Sequence, residues 1–223
     1  DVTPQERAQI WDVMNDVLAR IHRVDWAAHG LSDFGKPGNY FTRQIGRWGK
    51  QWRLSKQSDI PEMEKLIDWL NAHVPDDDET TVVHGDFRLG NMMFHEERSE
   101  VIAIFDWELS TLGHPLGDLA YNVMPFYMAP DEFNGLKGLD LVSMGIPSPD
   151  AYVRKYCERT RRPLFDLTFY IVFSLFRMAA IAEGILARAA SGIASSANAK
   201  EVGSMTGRYA ERAWGLVEEK GLQ

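Results

Sequence analysis

Between Thr81 and Asp106 the hydrophobic pattern of this chain changes period. Three short runs stand there: β-branched Thr81 to Val83, apolar Met92 to Phe94, and apolar Val101 to Phe105, the last two separated by the polar turn Glu96 to Glu100. Short runs bounded by turn residues read as strands. A two-stranded hairpin is at best marginally stable alone in water, so this one must lean on what surrounds it. It is the one convincing β region, and the periodic stretches on either side have helical spacing. The expected class is therefore α+β, mainly α: a helical domain with one small embedded β-hairpin.

The helical stretches carry their own start signals. Thr3, Pro4 and Glu6 supply an N-cap, a first-turn proline and a capping-box partner. Ile10, Val13, Val17 and Ile21 follow at helical spacing, which predicts a first helix to about His22. The glycine-rich stretch from Gly30 to Trp52 reads as a long loop with a short helix near Phe41 to Trp48. Asp59, Pro61 and Glu62 open a second helix that ends near His73. Beyond the hairpin, helices are expected over Leu119 to Met128, Ser148 to Glu158, Asp166 to Ala190 and Lys200 to Glu219.

Composition narrows the class of partner. At 223 residues and 45% hydrophobic the chain can bury a real core. The apolar stretch Phe165 to Ala190 is interrupted by Arg177, Glu183 and Arg188, which argues against a membrane partner. A net charge of −8 without a Lys/Arg run argues against nucleic acid. The acidic cluster Asp76 to Glu79 reads as a solvated loop. The single cysteine, Cys157, has no partner for an internal disulfide, and a reducing, cytoplasmic location is the expectation.

The chemistry concentrates in "VVHGDFRLGNMMFH", Val82 to His95. His84, Asp86, Arg88 and Asn91 fall before or within the loop into the hairpin, and Asp106 ends its second strand after "VIAIF". Two aspartates and an asparagine at one end of paired strands can converge. Hard oxygen ligands with a carboxylate near an acceptor hydroxyl suit magnesium-assisted phosphoryl transfer.

"HGDFRLGN", then "IAIFDWE", then "GHPLGDLA" resemble in order the catalytic core of the aminoglycoside phosphotransferase and choline kinase family, which has the protein-kinase-like fold. The resemblance covers the chain, 1–223, as a single C-terminal helical lobe with the catalytic loop and hairpin at about 81–108. It implies ATP, or another nucleoside triphosphate, with Mg²⁺, and a small-molecule acceptor. By the same resemblance Asp86 is the catalytic base or hydroxyl-orienting carboxylate, and Asn91 and Asp106 hold Mg²⁺ against the nucleotide. His84 supports the loop. Asp118 accepts hydrogen bonds from loop backbone groups, or is an ordinary N-cap of the next helix, or both.

Arg88 departs from the histidine more usual in small-molecule kinases. A guanidinium two residues after Asp86 either faces the transferring phosphoryl group or forms a structural ion pair. Trp107 and Glu108 stand where protein kinases have the Phe and Gly of "DFG", which favours the small-molecule branch. The glycine-rich loop and strand lysine of such kinases are not found in these residues, and the expectation is that the nucleotide-binding N-terminal lobe was cut away from a longer protein, the alternative being a natural remnant that never had it. Phe41, Arg43, Trp48, Trp52, Tyr121, Asn122 and Arg177 are candidates to line the acceptor pocket, the alternative being that the tryptophans pin a loop to the core. "FTRQIGRWGKQW" is similar to the kinase-like domains fused ahead of acyl-CoA dehydrogenases, which implies a hydroxylated acyl or acyl-CoA acceptor rather than an antibiotic. The competing class is a non-catalytic binding or scaffold domain that kept the fold.

Overall fold

The structure, a computed structural model, describes residues 2–132, 134–191 and 199–222. It divides into two compact units, one of residues 1–38 and 78–166, the other of residues 39–77 and 167–223.

The first unit is built on α1 (Pro4–His22). Its capping box closes as expected: the Glu6 amide donates to Thr3 Oγ1 at 3.2 Å, and the Thr3 amide to Glu6 Oε2 at 2.7 Å. α1 packs against α5 (Pro149–Thr160), which Ser148 caps, and lies along β1 (Thr81–Val83) and β3 (Val101–Ile104). β2 (Met92–Phe94) and β3 form the expected antiparallel hairpin, with a bulge between Met93 and Phe94. A fourth strand, β4 (Thr111–Gly113), pairs antiparallel with β1, Val82 opposite Leu112. Three residues ending in glycine carry no strand signal of their own; β4 exists because β1 offers it a partner.

α4 (Pro115–Val123) begins three residues before Asp118, with His114 at the N-cap accepting the Leu116 amide on Nδ1 at 3.2 Å. Asp118 is therefore inside the first turn and not the cap. The expected run to Met128 tightens into a 3₁₀ turn at Met124–Tyr127, where Pro125 has no amide hydrogen to continue the α-helical ladder.

The second unit is a helical bundle. α6 (Thr168–Ala190) is buried along most of its length against α2 (Tyr40–Ser55), α3 (Pro61–Ala72), α7 (Ala199–Gly203) and α8 (Thr206–Glu219). Among the described residues it is the one helix long and apolar enough to cross a membrane, and its apolar side chains form the bundle core. The stretch from Gly30 to Asn39 is a loop as expected, but the expected short helix is in fact α2, sixteen residues long. Packing outweighs its glycines. Phe41 meets the rings of Phe169 and Phe173 at 5.2 Å, Trp52 is fully buried, and Gly49 lets Ile67 approach. Phe41 and Trp52 are thus core residues. The expected single last helix breaks after Gly203, where a Cβ would lie 2.5 Å from Leu186 Cβ.

Candidate active site

The loop after β1 is drawn inward by two features. Gly85 adopts φ +85°, and a Cβ there would lie 2.6 Å from the Leu109 carbonyl oxygen, so only glycine permits this approach without strain. Asp118, buried on α4, accepts the His84 amide at 2.5 Å and the Gly85 amide at 2.8 Å. Burial alone would push the Asp118 carboxyl up, but the neighbouring His22 and the two amides outweigh it and hold the group below the usual carboxylate range.

His84 then joins the loop to the end of β3. Its Nδ1 accepts the Asp86 amide at 3.2 Å, so the ring hydrogen is on Nε2, which donates to the Phe105 carbonyl at 2.9 Å. The Trp107 ring covers the imidazole at 4.7 Å. Asn91 makes the second link: Nδ2 donates to the Asp86 carbonyl and to Asp86 Oδ2, both at 2.8 Å, and its own carbonyl accepts the Phe105 amide at 2.8 Å. Asp86 and Asp106 are therefore held in one frame, although they leave different strands.

Within that frame Asp86 Oδ2 also accepts from Arg88 Nε at 3.1 Å, while Oδ1 has no hydrogen bond among the described residues. The Arg88 side chain is half exposed, and its terminal nitrogens have no protein partner among those residues. Asp106 takes the left-handed conformation, φ 65° and ψ 51°, which turns its exposed carboxylate out of the strand without a hydrogen bond among the described residues.

The profile of the family described as "Phosphotransferase enzyme family" matches residues 1–142. The chain belongs to this phosphotransferase family. It is 46% identical over 224 residues to mouse "Acyl-CoA dehydrogenase family member 10", covering 99% of this chain and 21% of that protein, so it spans about a fifth of the relative's length. A crystal structure from Ralstonia eutropha JMP134, assigned by its description to the aminoglycoside phosphotransferases, superposes with a TM-score of 0.95 at 48% identity, covering 98% of this chain and 68% of that one. Choline kinase from Cryptosporidium parvum (TM-score 0.61, 10% identity, 100% of this chain and 70% of that one) shares the fold. So does a spectinomycin phosphotransferase in complex with ADP and spectinomycin (TM-score 0.55, 13% identity, 97% and 66%).

The donor set of this phosphotransferase-family chain fits magnesium held together with a nucleotide. Both Asn91 amide hydrogens point at Asp86, which leaves Oδ1 as the outward atom, and the Asp106 carboxylate is unengaged among the described residues. No group of three or more His, Cys, Asp or Glu suited to a metal occurs among the described residues. Two hard oxygen donors suit an ion that completes its octahedron with phosphate oxygens and water.

The acceptor candidates fall in both units. In the second, Trp48 donates to Gln44 at 3.1 Å, and buried Arg177 stacks on its ring at 5.6 Å; Arg43 is on the same helix, α2. In the first, Tyr121 and Asn122 are buried on α4. Asn122 accepts the Tyr152 hydroxyl at 2.6 Å and donates to the Phe87 carbonyl at 3.4 Å, which places its amide in support of the loop. Sequence reasoning missed His22, 3.5 Å from Asp118 Oδ2, and the backbone of Phe105. His22 looked like a helix end, and its partner is 96 residues away.

Proposed function

We propose that this chain is the catalytic lobe of an ATP-dependent phosphotransferase that phosphorylates a hydroxyl group of a small molecule. The observation that carries the reading is the Asp86 carboxylate. One oxygen is fixed by Asn91 and Arg88, and the other is left without a protein partner among the described residues. A carboxylate so aimed can orient an acceptor hydroxyl and take its proton as the oxygen attacks, an effect typically worth about 10² to 10⁴ in rate. The Arg88 guanidinium, bonded through Nε to Asp86 Oδ2, supplies positive charge beside the carboxylate, where phosphoryl oxygens gather charge in transfer. Mg²⁺, when bound with nucleotide, neutralises phosphate charge; Asn91 and Asp106 are the residues that would hold it.

We propose that the clamp on the nucleotide phosphates comes from a further lobe; support comes from the Ralstonia eutropha structure, of which this chain covers 68%. For the acceptor we propose a hydroxylated acyl compound. Support comes from the mouse relative, named for acyl-CoA dehydrogenases, whose chain is long enough to hold this lobe and much else. A cytoplasmic location suits such an enzyme.

The test uses protein that carries the nucleotide-binding lobe, and measures transfer of the γ-phosphate of ATP to a panel of hydroxyacyl compounds and other alcohols, wild type against Asp86→Asn. Transfer to a hydroxyacyl compound that falls at least about 10²-fold in the variant, with nucleotide binding retained, is the expected result. Nucleotide binding without transfer to any alcohol would instead favour a scaffold that kept the fold.

A further inference from the structure

Asp118 is gripped from behind as well as from the loop. Its Oδ2, which accepts the His84 amide, faces His22 Nε2 at 3.5 Å, and the other ring nitrogen of His22, Nδ1, is 2.6 Å from the Tyr156 hydroxyl. All three side chains are buried, and the imidazole and phenol meet edge to face with centroids 5.7 Å apart. They come from three helices: Asp118 from α4, His22 from α1 and Tyr156 from α5. The Arg162 guanidinium lies over the phenol, 5.7 Å from the ring centre, held by two hydrogen bonds to Glu79 at 2.6 and 2.8 Å.

Counting hydrogens assigns the direction of this chain. A buried donor must find an acceptor. Burial pushes the Tyr156 hydroxyl up from its ordinary range, so the phenol keeps its proton at neutral pH. Its hydrogen-bond partner among the described residues is His22 Nδ1. A doubly protonated imidazole would point a second hydrogen at that hydroxyl and leave the Tyr156 hydrogen without an acceptor. The arrangement that satisfies every atom has Tyr156 donating to a bare Nδ1, which puts the ring hydrogen on Nε2, toward Asp118 Oδ2.

We propose that His22 and Tyr156 are positioning residues for the catalytic loop: Tyr156 fixes His22 as the Nε2–H tautomer, and that N–H holds the Asp118 carboxylate in the orientation that grips the His84 and Gly85 amides. The step from loop geometry to turnover rests on the phosphotransferase reading; the geometry itself does not.

Tyr156→Phe keeps the ring, its packing and its contact with Arg162 and removes only the hydroxyl. Nitrogen-15 NMR of the His22 side chain should show a bare Nδ1 in wild type and a loss of that tautomer preference in Tyr156→Phe. Amide exchange at His84 and Gly85 should quicken about tenfold in Tyr156→Phe and in His22→Leu, with the Leu18 amide in α1 unchanged. His22→Gln, which can place an amide N–H near the Nε2 position, should recover protection relative to His22→Leu. A hydrogen on Nδ1 in wild type, unchanged exchange at His84 and Gly85, or quickened exchange that includes Leu18 overturns the proposal. None of these readouts needs turnover, so their failure is distinct from that of the phosphotransferase reading, which Asp86→Asn tests.

Discussion

Asn91 directs both of its amide hydrogens at Asp86, one to the backbone carbonyl and one to the carboxylate, each at 2.8 Å. These two hydrogen bonds aim the carboxylate and leave the side-chain oxygen Oδ1 of Asn91 without a hydrogen bond among the described residues. Asn91→Leu keeps the volume and removes the clamp. The expected outcome is a loss of about 1 to 2 kcal/mol in urea denaturation, since Asn91 is buried and its acceptors lose their donor. Unchanged stability would mean that the clamp does not form in solution.

Asp86→Ala should separate chemistry from folding. Arg88 is half exposed and can turn to water, and the buried Asn91 amide keeps the Asp86 backbone carbonyl as an acceptor. Stability should therefore change by no more than about 1 kcal/mol. Turnover, measured with the nucleotide-binding lobe present, should fall at least about 10²-fold. Retention of more than about a tenth of wild-type turnover would remove Asp86 from the role of base.

Gly85→Ala should damage the loop through the backbone. The residue stands at φ +85°, and a methyl group would meet the Leu109 carbonyl oxygen at 2.6 Å, a backbone atom that cannot swing aside. A cost of about 1 to 3 kcal/mol is expected in thermal or denaturant unfolding. A variant as stable as wild type would show that the loop can relax away from the turn that follows Asp106.

Asp118 links stability to pH. Its folded-state carboxyl lies below the ordinary value of 3.8. Its contribution is therefore fully present above the unfolded value, about 3.9, and is lost as pH falls through the lower folded value. Glu79, which burial would raise but Arg162 holds low, weakens in the same acid range, so wild type alone does not isolate Asp118. Asp118→Asn should cost about 1 to 3 kcal/mol at pH 7. The gap between the two melting curves should narrow below about pH 4. A gap that stays constant into acid would place the effect in packing instead of charge.

Magnesium should bind measurably only with nucleotide. Asn91 and Asp106 offer too few oxygens to complete an octahedron alone. Titration calorimetry of this chain with Mg²⁺ should show no specific site, and protein bearing the nucleotide-binding lobe should take up the ion together with ATP. Tight nucleotide-free binding lost in Asp106→Asn would contradict the ligand set.

What the sequence determined by itself was local. The capping box of α1, the Ser148 cap of α5, the β2–β3 hairpin and the spacing of His84, Asp86 and Asn91 could be read because each depends on residues close together along the chain. Tertiary structure decided the rest. α2 runs its full sixteen residues through Gly46 and Gly49 because Phe41, Ile45 and Trp52 bury themselves in the bundle, a gain that helix propensity does not record. β4 is a strand only through β1, and α7 ends where its backbone meets Leu186. The same holds for the site: His22, Asp118 and Tyr156 are separated by 96 and 134 residues along the chain measured from His22, and their hydrogen bonds form only once three helices have packed. Buried polar atoms must find partners wherever the fold places them, and no spacing along the chain encodes which partner that is.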